Sequence, residues 1–272
     1  MTGPYTPEVR PRPLRALALV CSVAALAIVA GSPPADAAPP DARSFDGLPV
    51  VGALFAGASV TGVHFCTASV VHSPHRDLLV TAAHCLSGTG DGLYFAPMYH
   101  DGTAPFGMWK VVAAYASQRW LHDQDPHQDV AFLAVAPHDR RGKRLEVEDV
   151  TGADRLVVSS GFRLRATLVG YPIGSGGRPI TCSNEVYDHL GYPGFDCGGY
   201  VGGTSGGPWI THLDRRTRSG DVAGVIGGLH QGGCTPSISY SPYFDASTAA
   251  VYQQAVRHGH GDTLPSAGSD GC

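Results

Sequence analysis

The sequence is poor in charge. Asp, Glu, Lys and Arg make up only 15% of its 272 residues, against about 25% in ordinary soluble domains. That scarcity excludes a charged coiled coil and a highly charged disordered tail. The net charge of −4 supplies no basic surface for nucleic acid or an anionic membrane. Metal-site spacing is also missing, with no CxxC, no HExxH and 13 scattered histidines. No phosphate loop, cofactor fingerprint or internal repeat occurs, so neither a cofactor nor a metal is expected. Long amphipathic helical patterns are absent until the C-terminal end. What is plentiful is glycine (36) and proline (21), beside a 43% hydrophobic fraction. Together they predict a turn-rich, all-β globular protein with ample core.

The first 37 residues read as an address. Arg10, Arg12 and Arg15 precede an apolar run from Ala16 to Ala30, and Ala35-Asp36-Ala37 offers small residues for a signal peptidase. The run is shorter than the ~20 apolar residues a membrane helix needs. A cleaved secretory signal over 1–37 is therefore expected, with an extracellular product that keeps no stable membrane attachment. Beyond Cys21, six cysteines remain: Cys66, Cys85, Cys182, Cys197, Cys234 and Cys272. An even number in an exported chain predicts disulfides, with many connectivities open.

After a polar leader or short propeptide over 38–47, brief β-branched or alternating runs are divided by Gly, Pro, Asn and Asp. They are Val50–Phe55, Leu78–Thr81, Val111–Tyr115, Val130–Val135, Leu156–Val158, Leu164–Val169 and Val222–Leu229. The charged stretch Arg140–Asp154 is the expected connection between two β-rich halves, about 48–145 and 155–243. Asp245 is placed to cap a helix over about 245–257, with Ala249, Tyr252 and Val256 on one face. The tail 259–272 is expected to be loose unless Cys272 ties it down.

Three short segments carry chemistry. In Thr81-Ala82-Ala83-His84-Cys85, a histidine ends an apolar strand behind small residues that leave room beside its ring. Cys85 could tie that position to Cys66. In Gln128-Asp129-Val130, a carboxylate enters an apolar strand, where it needs a donor such as an imidazole N–H. Asp123 and Asp125 lie in the polar stretch before it, and as loop carboxylates they are the candidates for a stabilising Ca²⁺. In Gly202-Gly203-Thr204-Ser205-Gly206-Gly207-Pro208-Trp209, glycines clear the space around a serine and permit turns that gather backbone N–H groups. Taken singly, each has a plainer reading: a packed histidine, a turn aspartate, a glycine-rich loop.

Their order is specific. TAAHC, DVAFL and GGTSGGP, followed by GVIGG at Gly224–Gly228, resemble the trypsin/chymotrypsin-like serine peptidases, and the secreted bacterial members most closely. The resemblance covers about 48–257. It implies two six-stranded antiparallel β-barrels and a C-terminal helix. It also implies a catalytic triad of His84, Asp129 and Ser205, an oxyanion hole of the Gly203 and Ser205 N–H groups, and a monomer that cuts proteins or peptides. The implied substrate pocket includes Gly199, Tyr200, Gly228 and His230. Gly199 stands where trypsin-like members carry the Asp that selects Lys or Arg. His230 is the residue that could meet an acidic side chain, as a His does in glutamyl-specific relatives. Cys66–Cys85 and Cys182–Cys197 are the expected bridges, which leaves Cys234–Cys272. Thr204 replaces the Asp that pairs with a new N-terminus in animal members, and no basic residue precedes Val50-Val51-Gly52. The oxyanion hole is thus expected to form without N-terminal insertion.

Two alternatives compete. A non-catalytic binding module would use the same scaffold without chemistry. An α/β-hydrolase esterase would read Gly203–Gly207 as G-x-S-x-G, but it needs a helix after the serine, where Gly206-Gly207-Pro208 stand.

Overall fold

The computed structural model describes residues 1–4, 8, 38–140, 142–174 and 176–272. The chain divides into two units, Met1–Ala37 and Ala38–Cys272. The signal expected over 1–37 falls almost wholly outside the described residues. Among the described residues, no helix is long and apolar enough to cross a membrane.

In the second unit, β1 (Arg43–Ser44) precedes β2 (Val51–Ala56), β3 (His64–Val71), β4 (Leu78–Thr81), β5 (Leu93–Pro97), β6 (Trp109–Ala116) and β7 (Ala131–Val135). Strands β2 to β7 close a barrel in the order β2-β3-β4-β7-β6-β5. Strands β2, β4 and β7 are buried along nearly their whole length, because both of their faces are covered. Leu54, Leu79, Trp109 and Leu133 fill the barrel. Val51, Ala53 and Phe55, on the other face of β2, pack with Val169, Tyr171 and Ile210 of the second half. The outer faces of β4 and β7 lie under a helix: Val80 and Phe132 join Phe244, Val251 and Ala255.

The connection expected at 140–154 is docked rather than slack. The hairpin β8 (His138–Arg140) and β9 (Lys143–Leu145) and the helix α2 (Val147–Thr151) follow the barrel. At its end Asp154 is wholly buried, donating its N–H to the Val70 carbonyl and accepting from His72 N–H.

The second half holds β10 (Arg155–Leu156), β11 (Arg165–Gly170), β12 (Ile180–His189), β13 (Tyr192–Asp196), β14 (Pro208–Asp214), β15 (Ser219–Val225) and β16 (Ile238–Tyr240). Six of these form one path, β15-β14-β11-β12-β13-β16. The two-residue strands β1 and β10 add to β12 and β15, making eight strands in all. Its two ends approach each other: Gly227 N–H donates to the Tyr240 carbonyl, and Val225 N–H to the Ser241 hydroxyl, each at 3.0 Å. On β11, Ala166 and Leu168 point into the core with Phe195 and Trp209, while Arg165 is exposed, as alternation predicts. The leader is built in as well. Gly198 N–H donates to the Pro40 carbonyl and Ala42 N–H to the Gly198 carbonyl, both at 2.8 Å.

Helix α1 (Gln118–Asp123) sits before β7, and α3 (Ala246–Val256) ends the fold. Asp245 caps α3, accepting from Ser247 and Thr248 N–H groups. The fully buried face is Thr248, Val251 and Ala255, one residue round from the expected face, whose Tyr252 and Val256 pack half-buried beside it. Tyr252 lies at the rim because its hydroxyl reaches the exposed His72 carbonyl at 2.8 Å. The region expected to be one strand over Val222–Leu229 also divides: β15 stops at Val225, and Leu229 begins a 3₁₀ turn.

Candidate active site

His84 occupies a single 3₁₀ turn, Ala83–Cys85, directly after β4. Ala82 and Ala83 are fully buried beneath it, and Cys85 is bonded to Cys66 on β3. The turn is therefore fixed at both ends. Asp129 follows another such turn, Pro126–Gln128, capped by Asp125, and leads into β7.

The Asp129 carboxylate is completely buried and meets three N–H groups. The His84 backbone donates to Oδ1 at 2.8 Å, His84 Nδ1 to Oδ2 at 2.7 Å, and the Gly228 backbone to Oδ2 at 2.8 Å. Burying an unpartnered carboxylate would be strongly unfavourable, so all three contacts are needed for this packing. Because an ionised carboxylate only accepts, the proton of neutral His84 sits on Nδ1 and Nε2 is left as a base.

Ser205 stands on a turn that only glycine permits at two points. Gly203 has φ +93°, and a Cβ there would lie 2.6 Å from the Tyr171 carbonyl oxygen. At Gly206, φ is +77° and a Cβ would lie 2.1 Å from Thr81 Oγ1. The turn is closed by Thr204 N–H to Val201 carbonyl (3.1 Å) and Gly207 N–H to Thr204 carbonyl (2.9 Å). Thr67 on β3 then holds it from the opposite barrel. Its N–H donates to the Ser205 carbonyl at 2.7 Å, and its hydroxyl to the Gly203 carbonyl at 2.9 Å. The same hydroxyl accepts from Tyr171 N–H at 2.9 Å. Among the described residues, the N–H groups of Gly203 and Ser205 have no acceptor. Both residues line a cavity of about 610 Å³ that His84 also lines.

After Gly207 the chain enters β14 and not a helix, which removes the α/β-hydrolase reading. The arrangement has parallels among solved structures. Protease Anisep from Arthrobacter nicotinovorans is 26% identical with a TM-score of 0.67, covering 79% of this chain and 99% of that one. The thermostable serine protease AL20 from an extremophilic microorganism is 25% identical with a TM-score of 0.64, covering 77% and 97%. The fold is that of the trypsin-like serine proteases. A Glu endopeptidase shares the trypsin-like fold at 16% identity and a TM-score of 0.60, covering 80% and 97%. No protein-family model matches the chain, and no curated protein is similar to it.

On this trypsin-like scaffold the expected pocket residues separate. Tyr200 and His230 line the cavity that Ser205 lines, whereas Gly199 and Gly228 do not. Gly199 lies behind the wall, where Ala42 of the leader and Ile180 approach it. Gly228 instead serves Asp129 through its N–H. Tyr200 is 6% exposed, and its hydroxyl donates to the Leu168 carbonyl at 3.0 Å. Burial pushes its phenol well above the ordinary range. Thr204 is buried, its hydroxyl turned onto the Val201 carbonyl at 2.7 Å.

The chain pairs Cys66–Cys85, Cys182–Cys197 and Cys234–Cys272. Among the described residues, the clusters with metal-ligand geometry contain these bonded cysteines, whose sulfurs are already committed. Asp123 and Asp125 form no such cluster; Asp125 pairs with Arg119 and caps the turn before Asp129. Among the residues that the sequence did not single out, Phe65, Ile173, Ser239 and Asp270 also line the cavity.

Proposed function

We propose that this chain is a secreted serine endopeptidase acting through Ser205, His84 and Asp129. The observation that carries the reading is the three-donor contact on Asp129. It fixes the His84 ring with Nδ1 protonated in the cavity that Ser205 lines. In the reaction, Ser205 Oγ attacks the scissile carbonyl carbon while His84 Nε2 takes its proton. The carbonyl oxygen becomes an oxyanion, facing the free N–H groups of Gly203 and Ser205. Collapse breaks the C–N bond, and His84 returns the proton to the leaving amine. Water, activated by the same imidazole, then hydrolyses the acyl-enzyme and restores Ser205. Asp129 stays ionised and stabilises the imidazolium. Every group needed is a protein group, so the proposed reaction uses no cofactor.

Export rests on the basic and apolar pattern of residues 1–37 and agrees with three disulfides in the rest of the chain. The proposed product is a monomer, with protein or peptide substrates and no nucleic acid or membrane partner. Thr204 and Thr67 support an oxyanion turn that needs no new N-terminal amine.

The test compares secreted wild type with Ser205→Ala on a mixed peptide library, reading cuts by mass spectrometry. Cleavage by wild type alone is expected, together with labelling of Ser205 by a serine-directed phosphonate. A folded wild type that neither cuts nor labels would overturn the peptidase reading, in favour of a binding module on the trypsin-like scaffold or of an unprocessed precursor.

A further inference from the structure

The segment after α3 is a strap that returns to the cleft. Asp262 N–H donates to the Ala114 carbonyl at 2.8 Å, and its carboxylate accepts from Ala116 N–H at 3.0 Å. Leu264 exchanges two backbone hydrogen bonds with Gly88, at 2.8 and 2.9 Å, and buries its side chain in the barrel core. The Gln124 amide then holds both sides of the next turn, donating to the Ser266 carbonyl and accepting from Gly268 N–H. Gln231 Nε2 donates to the Gly268 carbonyl at 2.8 Å, and His230 Nδ1 to the Asp270 carbonyl at 3.0 Å. Cys272 closes the path on Cys234. Gln231 and His230 are themselves cavity-lining residues, so the strap is fastened to the wall of the site.

This path carries one carboxylate into the cavity. Asp270 is exposed and lines the space that Ser205 and His84 line. Its Oδ1 accepts from Cys272 N–H at 3.0 Å, which leaves Oδ2 without a partner among the described residues. Among the described lining residues Asp270 is the sole carboxylate, and no Lys or Arg lines the cavity. An anionic guest beside His230 would therefore meet a like charge, while a cationic one would meet its counter-charge.

We infer that the strap 259–272 is a wall of the substrate cleft, and that its Asp270 selects peptides carrying a Lys or Arg side chain at one position of the bound segment. The inference rests on the peptidase reading above. It makes the peptide's cation a guest of the strap, on the side of the cavity lined by His230 and Gln231, and Gly199 takes no part in holding it.

The experiment compares wild type, Asp270→Asn and Asp270→Lys on matched peptides. These peptides differ only by Lys, Gln or Glu at each position in turn. At one position, the ratio of kcat/KM for Lys over Gln falls about 2- to 5-fold in Asp270→Asn, the scale of an exposed ion pair. In Asp270→Lys the preference turns towards Glu at that same position. Raising salt from about 0.05 to about 0.5 M weakens the wild-type ratio and leaves the Asp270→Asn ratio unchanged. The double variant Cys234→Ser/Cys272→Ser, which frees the end of the strap beyond Asp270, weakens the preference as well. Ratios unmoved by both Asp270 variants at every position, in an enzyme whose cleavage still depends on Ser205, overturn the inference alone. Absence of both Ser205-dependent cleavage and phosphonate labelling overturns the peptidase reading, and the inference with it.

Discussion

The Thr67 hydroxyl donates to the Gly203 carbonyl at 2.9 Å, joining β3 of the closed barrel to the turn that presents Ser205 in the other half. Thr67 is fully buried, and its backbone N–H makes a second bond to the Ser205 carbonyl. The turn is thereby held with the Gly203 and Ser205 N–H groups unspent. In animal trypsin-like peptidases, which this sequence resembles, an N-terminal ion pair at the residue before the serine has this place. Here that residue is Thr204, turned inward.

Replacing Thr67 by Val keeps the shape but leaves the Gly203 carbonyl and Tyr171 N–H without their partner. Leaving buried polar groups unpaired costs roughly 1–3 kcal/mol. Loosening the turn is expected to lower kcat about tenfold with little change in KM. Thr67→Ser, which restores the hydroxyl, should recover most of the rate. A kcat that is unchanged in Thr67→Val, measured on a sample shown to be folded, would remove Thr67 from the positioning of the turn.

Asp129→Asn preserves the size of the side chain but allows its amide to face His84, which favours the wrong imidazole tautomer. Loss of about 10⁴-fold in kcat is expected, the scale that follows in Ser-His-Asp peptidases when the carboxylate is lost. Steady-state kinetics check the rate, and near-UV circular dichroism checks that the fold persists. A loss under tenfold would mean that Asp129 does not orient the base.

Asp154 gives a pH prediction. It joins the halves, accepting from the Ser69 hydroxyl at 2.7 Å and from Gly220 N–H at 2.8 Å. Burial pushes its carboxyl from 3.8 up to about 7, outweighing those two donors, and nearby Asp221 adds to the rise. The folded chain keeps a proton that the unfolded chain releases. Stability from this group is thus full below about pH 4 and lost as pH rises towards about 7. Asp154→Asn should be near wild type at the acid end. Above pH 7 it should be more stable, by an amount on the order of a few kcal/mol. Thermal melting of both proteins between pH 4 and pH 8 tests this; a constant difference across the range contradicts it.

The leader offers a graded truncation series. Chains starting at Ala38 retain the bonds from Pro40 and Ala42 to Gly198, whereas chains starting at Gly47 lose them together with β1. The first cut is expected to be silent. The second should lower both melting temperature and kcat/KM, because Gly198 and Gly199 back the wall that Tyr200 forms. Equal behaviour of the two chains would show that the leader is dispensable.

Much of this was legible in the sequence because the key residues sit in strong local contexts. Leu78–Thr81 is apolar between turn signals and forms β4 over those same residues. His84 and Asp129 border buried strands, and Ser205 lies among glycines, two of which, Gly203 and Gly206, hold backbone angles that only glycine adopts readily. Strand β12 was hidden, since Ser183, Asn184, Glu185 and Asp188 interrupt any apolar period. Strand β13 contains Pro193 and Gly194, which signal a turn locally but are held in the ladder by β12 and β16. Thr67 could not be read at all, because its role depends on Gly203 and Tyr171, which are distant in sequence. Asp270 was equally silent: only the Cys234–Cys272 bond and the fastenings of the strap bring a tail residue to the cleft.

The donors that meet Asp129 come from residues 84 and 228, in the two halves of the fold. A nascent chain that ends before Gly228 has the serine, the histidine and the carboxylate, yet leaves that acid short of a donor inside a half-built interior. The full donor set on Asp129 therefore forms only once the chain has been built past Gly228.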